Sequence, residues 1–153
     1  MARKFQIETR SEPVRFTLAG ISCHLRDYHL TFLLNEKLEL DFTKEEDLQG
    51  YPLYFCRDEN CFNTYYLLGN RGENSLLIPE MKQTDYLLLV EGPFTKVREE
   101  KLLKKIRQIS KVLMAYDINP EILKNIDTLL NDLEMHFLNI HKELKTKYSP
   151  TKH

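Results

Sequence analysis

The stretch Leu76–Gly92 reads LLIPEMKQTDYLLLVEG, and its segment YLLLV is the longest unbroken apolar run in the chain. Successive side chains of a strand point to opposite sides, so this run places apolar residues on both sides. One side receives Leu87 and Leu89, and the other receives Tyr86, Leu88 and Val90. A strand that is apolar on both sides has to be covered on both sides. We therefore expect a central strand over Asp85–Glu91, with helices or a partner on each side.

The size and composition of the chain are those of one globular domain. It has 153 residues, of which 42% are hydrophobic and 29% are charged, and a chain of this length can bury a sizeable core. The formal net charge of −1 creates no overall field that attracts nucleic acid or an anionic membrane. We predict a single domain over 1–153, with a core over about 14–118 and a C-terminal helix over about 120–146.

The first residues, MARKFQIETRSEP, lack the apolar stretch of a signal peptide, and no run approaches bilayer-spanning length. We therefore expect a cytoplasmic protein without a membrane partner. In a reducing compartment Cys23, Cys56 and Cys61 are expected as thiols.

Before the central strand, residues 14–22 alternate apolar and polar in the period of a strand, and Gly20 suggests a bulge or a close approach by a neighbouring backbone. A helix is predicted over about 25–38. Its stripe comprises Leu30, Leu33, Leu34 and Leu38, widened by Leu25, Tyr28 and Phe32. The segment Thr43–Glu46 has the form of a capping box, which predicts a short helical turn over about 44–48, ended by Gly50.

Residues 51–91 are predicted to form strands. Tyr51–Cys56 and Phe62–Leu68 are rich in aromatic residues and are separated by the turn-forming cluster Arg57–Asn60. A second turn returns the chain through a strand over Ser75–Ile78, which Pro79 must end because proline cannot donate to a ladder.

After residue 92, the pattern predicts an amphipathic helix over 96–109, with Leu102, Leu103, Ile106 and Ile109 buried. Residues 112–118 are compatible with a strand or with a continuation of that helix, and periodicity alone does not decide between them. We favour the strand, because it completes a strand–helix–strand unit with Asp85–Glu91.

Asn119-Pro120-Glu121 is a strong start signal for the last helix. The helix is predicted to run to about Lys145. Its apolar stripe covers 22 positions in six steps, a mean of about 3.67, which favours a straight helix on a globular surface over a coiled coil. The stripe comprises Ile122, Ile126, Leu129, Leu133, Phe137, Ile140 and Leu144.

Together these elements predict an α+β fold. It has a mainly antiparallel sheet of about five or six strands, two helices packed on one face, and a long C-terminal amphipathic helix. That last helix is expected to cover the other face or to form a dimer contact.

The segment Ile78–Tyr86, IPEMKQTDY, resembles the motif of a bacterial family named IPExxxVDY, with Thr84 in the place of valine. Two further segments, Gly20–Asn35 (GISCHLRDYHLTFLLN) and Asn63–Asn70 (NTYYLLGN), resemble the same family. The resemblance covers roughly residues 14–118 and leaves the last helix outside. It implies an intact fold and a cytoplasmic location, but no activity, substrate or cofactor.

The motif contains the candidate functional residues Glu80, Asp85 and Tyr86. Glu80 and Asp85 flank a loop beside the central strand, where paired carboxylates can perform acid–base chemistry. The alternative is structural, with both side chains accepting backbone N–H groups of the turn over 79–84. No histidine, serine or lysine nearby has a recognisable catalytic spacing, so an enzyme is the least supported class.

His24 and Asp27 are a second candidate pair. Cys23 and His24 suggest a thiol nucleophile or a metal ligand, but adjacent residues at a strand end point to opposite faces. The alternative is a polar cap in which His24 meets Asp27 or Tyr28 across a helix start. Cys56 and Cys61 lack the second ligand pair of a zinc site and are better interpreted as packed small hydrophobes. We predict no metal site and no cofactor.

A basic patch is predicted on the helix over 96–111, where Lys101, Lys104 and Lys105 are expected to be exposed. Such a face can hold phosphate, RNA or an acidic protein, although solvated helix faces are commonly charged as well. No RNA-module signature and no glycine-rich phosphate loop accompanies it, so a nucleic-acid partner is disfavoured.

Three functions remain open from the sequence. The first is a non-catalytic protein-interaction or regulatory module, with a protein partner and a possible homodimer through the C-terminal helix. The second is a regulator that binds a small molecule or phosphate near Glu80, Asp85 and the basic helix. The third is an RNA-associated protein that uses the basic helix.

Overall fold

The computed structural model describes the backbone of residues 16–148 and the side chains of residues 16–139. Six strands form one antiparallel sheet: β1 (Phe16–Cys23), β2 (Thr43–Leu48), β3 (Tyr51–Asp58), β4 (Asn63–Gly69), β5 (Tyr86–Glu91) and β6 (Val112–Ile118). Three helices accompany them: α1 (Asp27–Leu38), α2 (Lys96–Arg107) and α3 (Ile126–Tyr148). The α+β prediction is confirmed, and so is the strand assignment of residues 112–118.

The strand order in the sheet is β2-β3-β4-β5-β1-β6, so β5 and β1 lie in the interior. The central strand predicted over 85–91 is β5, which pairs with β4 on one side and with β1 on the other. Gly20 of β1 leaves room for the ring of Tyr116 on β6, because an added Cβ would come within 2.9 Å of that ring. The predicted close approach at Gly20 is therefore real, but a side chain makes it and not a backbone.

Both faces of β5 are covered, as the alternation predicts. Tyr86, Leu88 and Val90 belong to the core cluster on the face covered by α1 and α2. Leu87 and Leu89 belong to the cluster on the opposite face, together with Leu129 and Leu133 of α3. The last helix thus packs against the second face of its own sheet.

The apolar faces of the helices differ in part from their predicted stripes. Leu30 and Leu34 of α1 are fully buried, and Leu25, Leu33 and Leu38 are partly buried against the same core. Tyr28 is 65% exposed and Phe32 is 59% exposed, so their place in the predicted stripe was wrong. In α2 the predicted Leu102, Leu103 and Ile106 are buried, as is Ile109 just beyond it. Tyr28 and Phe32 are exposed because only one face of α1 meets the sheet, and the flank of the helix stays in solvent.

The segment predicted as a helical turn over 44–48 is the edge strand β2. Gln49 and Gly50 both have positive φ, 53° and 89°, which is the pattern of a two-residue type I′ hairpin turn. That turn folds Thr43–Leu48 back onto β3, and their pairing overrides the local capping-box signal.

The predicted strand over Ser75–Ile78 is also wrong. Only an isolated bridge between Arg71 and Leu76 forms there. The backbone N–H of Ile78 is bonded instead by the side chain of Asn70, so the loop is held without a ladder.

The last helix begins later than predicted. Asn119 accepts a hydrogen bond from the backbone N–H of Glu121, as expected of a cap, but this start signal produces only the 3₁₀ turn Pro120–Ile122. Leu123 is extended and buried, and α3 starts at Ile126. Ile122, placed in the buried stripe from the sequence, is 66% exposed.

Some predictions lie outside the described residues. They concern the start of the first strand at 14–15 and the side chains of Ile140 and Leu144 in the last stripe. Within residues 16–148, no helix is long and apolar enough to cross a membrane.

Candidate functional site

Four of the five candidate residues from the motif and the helix start line one cleft. It has a volume of about 490 Å³ and opens where β1 ends and α1 begins. Its lining includes His24, Asp27, Asp85 and Tyr86, together with Arg26 and Arg71. Glu80 lies outside it.

Asp85 holds the wall of this cleft together. Its Oδ2 accepts a hydrogen bond of 2.9 Å from the backbone N–H of Cys23, and its Oδ1 forms an ion pair of 2.5 Å with Nε of Arg71. Arg71 also donates to the carbonyl of Lys82 at 2.9 Å. Asp85 therefore joins β1 to the loop before β5. This role is structural, as one alternative predicted, but the bonds reach other segments and not the turn over 79–84.

Tyr86 and Asp27 are also occupied by neighbours. The hydroxyl of Tyr86 donates to the carbonyl of Leu25 at 2.5 Å, and the hydroxyl of Tyr54 donates to Oδ2 of Asp27 at 2.8 Å. Burial raises the pKa of Tyr86 and of Tyr54 well above the usual range, and the Asp27 carboxylate adds to both shifts. The predicted cap between His24 and Asp27 is not made, because Tyr54 is the partner of Asp27.

Two side chains in the cleft besides that of Arg71 remain exposed. His24 and Arg26 are exposed, and within the described residues their side chains make no hydrogen bond. Arg26 is the N-cap of α1, and no side chain caps this helix. Cys23 beside them is buried, and burial raises the pKa of its thiol, so the thiolate needed for nucleophilic chemistry is disfavoured.

Glu80 acts elsewhere, on the segment that leads into α3. Its Oε2 accepts a hydrogen bond of 3.0 Å from the backbone N–H of Lys124. This bond lowers the pKa of the Glu80 carboxyl. The carboxylates of Glu80 and Asp85 thus bind two different segments, and the structure does not bring them together in one site.

Asn70 is the residue of this region that sequence reasoning missed. It is fully buried. Its amide nitrogen donates to the carbonyls of Met81 and Thr84, at 3.0 and 2.9 Å, and its Oδ1 accepts from the N–H of Ile78 at 2.8 Å. The available signal was an asparagine directly after the apolar strand TYYLLG.

The basic patch is divided in the fold. Lys101 and Lys105 line a cleft that also holds Glu39 and Asp58. Lys104 lies on another side of α2, near Asp117. All three lysines are exposed, but acids line the same clefts among the described residues, and RNA association stays a prediction.

A second and larger cavity is a groove of about 660 Å³ between α3 and the sheet. Its apolar lining comprises Phe16, Tyr66, Leu89, Leu130, Leu133, Phe137 and Leu138. Its charged lining comprises Glu91, Asp127 and Glu134, and none of the described residues that line it is a lysine or arginine. We call this feature the acidic groove.

No family model matches the chain, and no curated protein matches it. The resemblance to the IPExxxVDY family therefore stays a prediction.

The floor of the acidic groove is formed by packed aromatic rings. The ring of Phe137 lies 5.3 Å from that of Tyr66 and 5.1 Å from that of Phe55, centroid to centroid. The hydroxyl of Tyr66 donates to Glu91 at 3.2 Å. Burial and the Glu91 carboxylate raise the pKa of Tyr66, so this phenol stays neutral beside the acids that line the groove.

Sequence reasoning named the last helix as a contact surface but missed the acids of the groove. Asp127 and Glu134 are seven residues apart, or two helical turns, which places them on one side of α3. Glu91 ends an otherwise apolar strand. Those two signals were visible, but only the packing of α3 brings the three acids to one groove.

The remaining cysteines are separate thiols. Cys56 is buried and accepts a hydrogen bond of 3.4 Å from the N–H of Asp41. Cys61 is exposed at the β3–β4 turn, so its interpretation as a packed hydrophobe was wrong. The two residues are therefore placed in different environments.

Proposed function

We propose that the protein is a non-catalytic interaction module of the cytoplasm that binds an apolar, positively charged segment in the acidic groove. One observation carries this proposal: a cavity of about 660 Å³ with an apolar floor is lined by three carboxylates. Covering this apolar floor stabilises a complex by about 25 cal/mol per Å² of apolar surface removed from water. The carboxylates select a partner with positive charge.

The candidate catalytic groups support the same conclusion. Asp85, Tyr86 and Asp27 are each engaged in hydrogen bonds that join strands and helices. A general base has to reach the proton that it removes, and these oxygens are directed at the protein's own backbone and side chains. A binding role leaves those contacts intact.

The test uses a labelled amphipathic helical peptide of leucine and lysine as a probe of the full chain. We expect binding that Glu134→Lys weakens about tenfold, since the reversal removes an attraction and adds a repulsion. Glu100→Lys is the matched control, because the same charge change occurs on α2, away from the groove. Fluorescence anisotropy at two salt concentrations measures both.

Equal binding by the two variants would contradict the proposal. So would chemical shift changes confined to residues outside the groove, or an absence of binding at concentrations where the chain is monomeric. Circular dichroism and thermal unfolding verify that each variant is folded, so a lost interaction is not mistaken for a lost fold.

A second candidate is a regulator that binds a small anion in the cleft at the start of α1. The observation that favours it is the exposure of His24 and Arg26 beside Arg71, at a helix start without a side-chain cap. Helix starts attract anions through their N–H groups. The carboxylates of Asp27 and Asp85 oppose this attraction, so the candidate ranks second.

Inorganic phosphate is the probe for this cleft. We expect phosphate to raise the thermal midpoint above that in chloride of equal ionic strength, as binding to the folded state requires. Arg26→Gln should abolish the difference and Lys104→Gln should not. Identical midpoints in phosphate and chloride would contradict the anion site.

A further inference from the structure

We propose that the partner of the acidic groove is helix α3 of a second copy of this chain, packed antiparallel to the first. This inference rests on the proposed function and names its partner. The two helices would meet about a two-fold axis near Leu138. The complex is then a symmetric homodimer in which each groove receives the same segment of the other copy.

Leu138 is placed to lie on such an axis. It lines the groove and is 54% exposed. Met135, one turn earlier, is 56% exposed. Both are near the middle of a helix of 23 residues, which is about 34 Å long at 1.5 Å per residue. A pair of antiparallel helices that cross here would cover these exposed apolar side chains.

The charged residues of α3 before and after Leu138 are opposite in sign. Four, seven and eleven positions before it are Glu134, Asn131 and Asp127, which all line the groove. Four and seven positions after it the sequence has Lys142 and Lys145.

Antiparallel pairing about position 138 aligns each position with the one equally far on the other side. Position 134 then faces position 142 of the second copy, and position 131 faces position 145. A two-fold axis repeats every contact, so the one alignment of acid with lysine, position 134 with position 142, occurs twice, as does the alignment of Asn131 with position 145. The spacing of three and four residues is that of a helix–helix contact.

A parallel arrangement would bring the acidic halves of the two helices together. Like charges at that distance are unfavourable, and the helix dipoles would also be aligned in parallel. The sequence of α3, acidic in its first half and basic in its second, therefore selects the antiparallel arrangement.

The experiment is sedimentation velocity of the full chain over a wide range of concentrations. We expect a reversible dimer that dissociates more readily at high salt, because salt screens the attraction between the aligned charges. Glu134→Lys and Lys142→Glu should each weaken the dimer about tenfold, since each change affects two symmetric contacts.

The double variant Glu134→Lys/Lys142→Glu restores opposite charges at the paired positions. It should recover the dissociation constant of the original chain to within about threefold. Glu100→Lys on α2 is the control and should leave the dimer unchanged. Because recovery by the double variant requires a folded protein, it separates a broken contact from a misfolded chain.

A monomer at every concentration would overturn the homodimer, and so would a dimer that is unaffected by either reversal. The leucine–lysine peptide separates this failure from that of the proposed function. A monomer that binds the peptide in the groove contradicts the second copy but keeps the interaction module. A monomer that does not bind the peptide contradicts both.

Discussion

At the scale of single residues, the motif-like segment IPEMKQTDY is held by buried polar side chains. Asn70 satisfies two carbonyls and one N–H of the loop over 78–84, which a sheet would otherwise pair. Thr84 is buried and its hydroxyl is hydrogen-bonded to that of Tyr116 on β6. The segment that looks like a functional signature is therefore chiefly architectural.

The substitution Asn70→Asp should lower the free energy of unfolding by about 3 kcal/mol, because a carboxylate cannot donate and two buried carbonyls lose their donors. Urea unfolding measures the change. Asn60→Asp, in the exposed β3–β4 turn, makes the same chemical change and should stay within about 0.5 kcal/mol. Equal losses in the two variants would contradict the role of Asn70.

Buried tyrosines predict a loss of stability in alkali. Burial is the largest cause that raises the pKa of Tyr66 and Tyr86 above the usual value of 10.0. Their contribution is fully present below pH 10, and it is lost as the pH rises toward their pKa in the folded state, because the unfolded chain releases these protons first.

Urea unfolding between about pH 8 and pH 11 measures this slope. Tyr66→Phe removes one phenol and should make the slope shallower. The exposed Tyr28→Phe provides the control for the substitution itself. A stability that does not change over this range would contradict the prediction.

At the scale of elements, local start signals were outweighed by pairing and packing. The capping-box pattern over 43–46 lies in β2, because the turn at Gln49-Gly50 supplies a neighbouring strand. The start signal at Asn119 initiates only a 3₁₀ turn, because Leu123 turns inward and the N–H of Lys124 binds Glu80. Apart from the strand predicted over Ser75–Ile78, which does not form, the type and order of the other elements followed the pattern.

The shifted start of α3 makes a prediction about two apolar residues. Leu129→Ala should cost about 3 kcal/mol of unfolding free energy, because Leu129 is buried against the sheet. Ile122→Ala should stay within about 0.5 kcal/mol, since Ile122 is 66% exposed. Chemical denaturation compares the two, and a large loss from Ile122→Ala would place the helix start at residue 120 after all.

At the scale of the whole molecule, one sheet separates two cores. Leu88 is packed toward α1 and α2, and Leu87 toward α3. A chain of this size can cover both faces of a sheet only if the helices divide between them. The acidic groove lies between α3 and this second face, so it forms only because α3 packs there.

Leu87→Ala and Leu88→Ala should therefore cost similar free energies of unfolding, about 3–4 kcal/mol each, because both side chains are fully buried. Leu113→Ala on β6 is the control, since Leu113 is 62% exposed, and should cost less than about 0.5 kcal/mol. Thermal or urea unfolding measures all three. A small cost for Leu87→Ala alone would mean that α3 leaves the second face open.

The candidate site shows the same division between local and long-range information. The motif singled out Asp85 and Tyr86, the helix start singled out His24 and Asp27, and the fold brings these four to one cleft. Their partners were not predictable, because Tyr54, Leu25 and Arg71 are brought to them only by the sheet. The acidic groove depends on three acids from β5 and α3 that no local pattern connects.

The sequence by itself determined the α+β class, the central strand that is apolar on both sides, and the amphipathic helices, because these follow from the periodicity of neighbouring residues. Only the tertiary structure decided that 43–48 is a strand and that α3 starts at Ile126. It also decided that the side chain of Asn70, and not a neighbouring strand, bonds the backbone of the loop over 78–84. Each of these depends on a partner far along the chain, and the free energy of such a contact exceeds the local preference that it overrides.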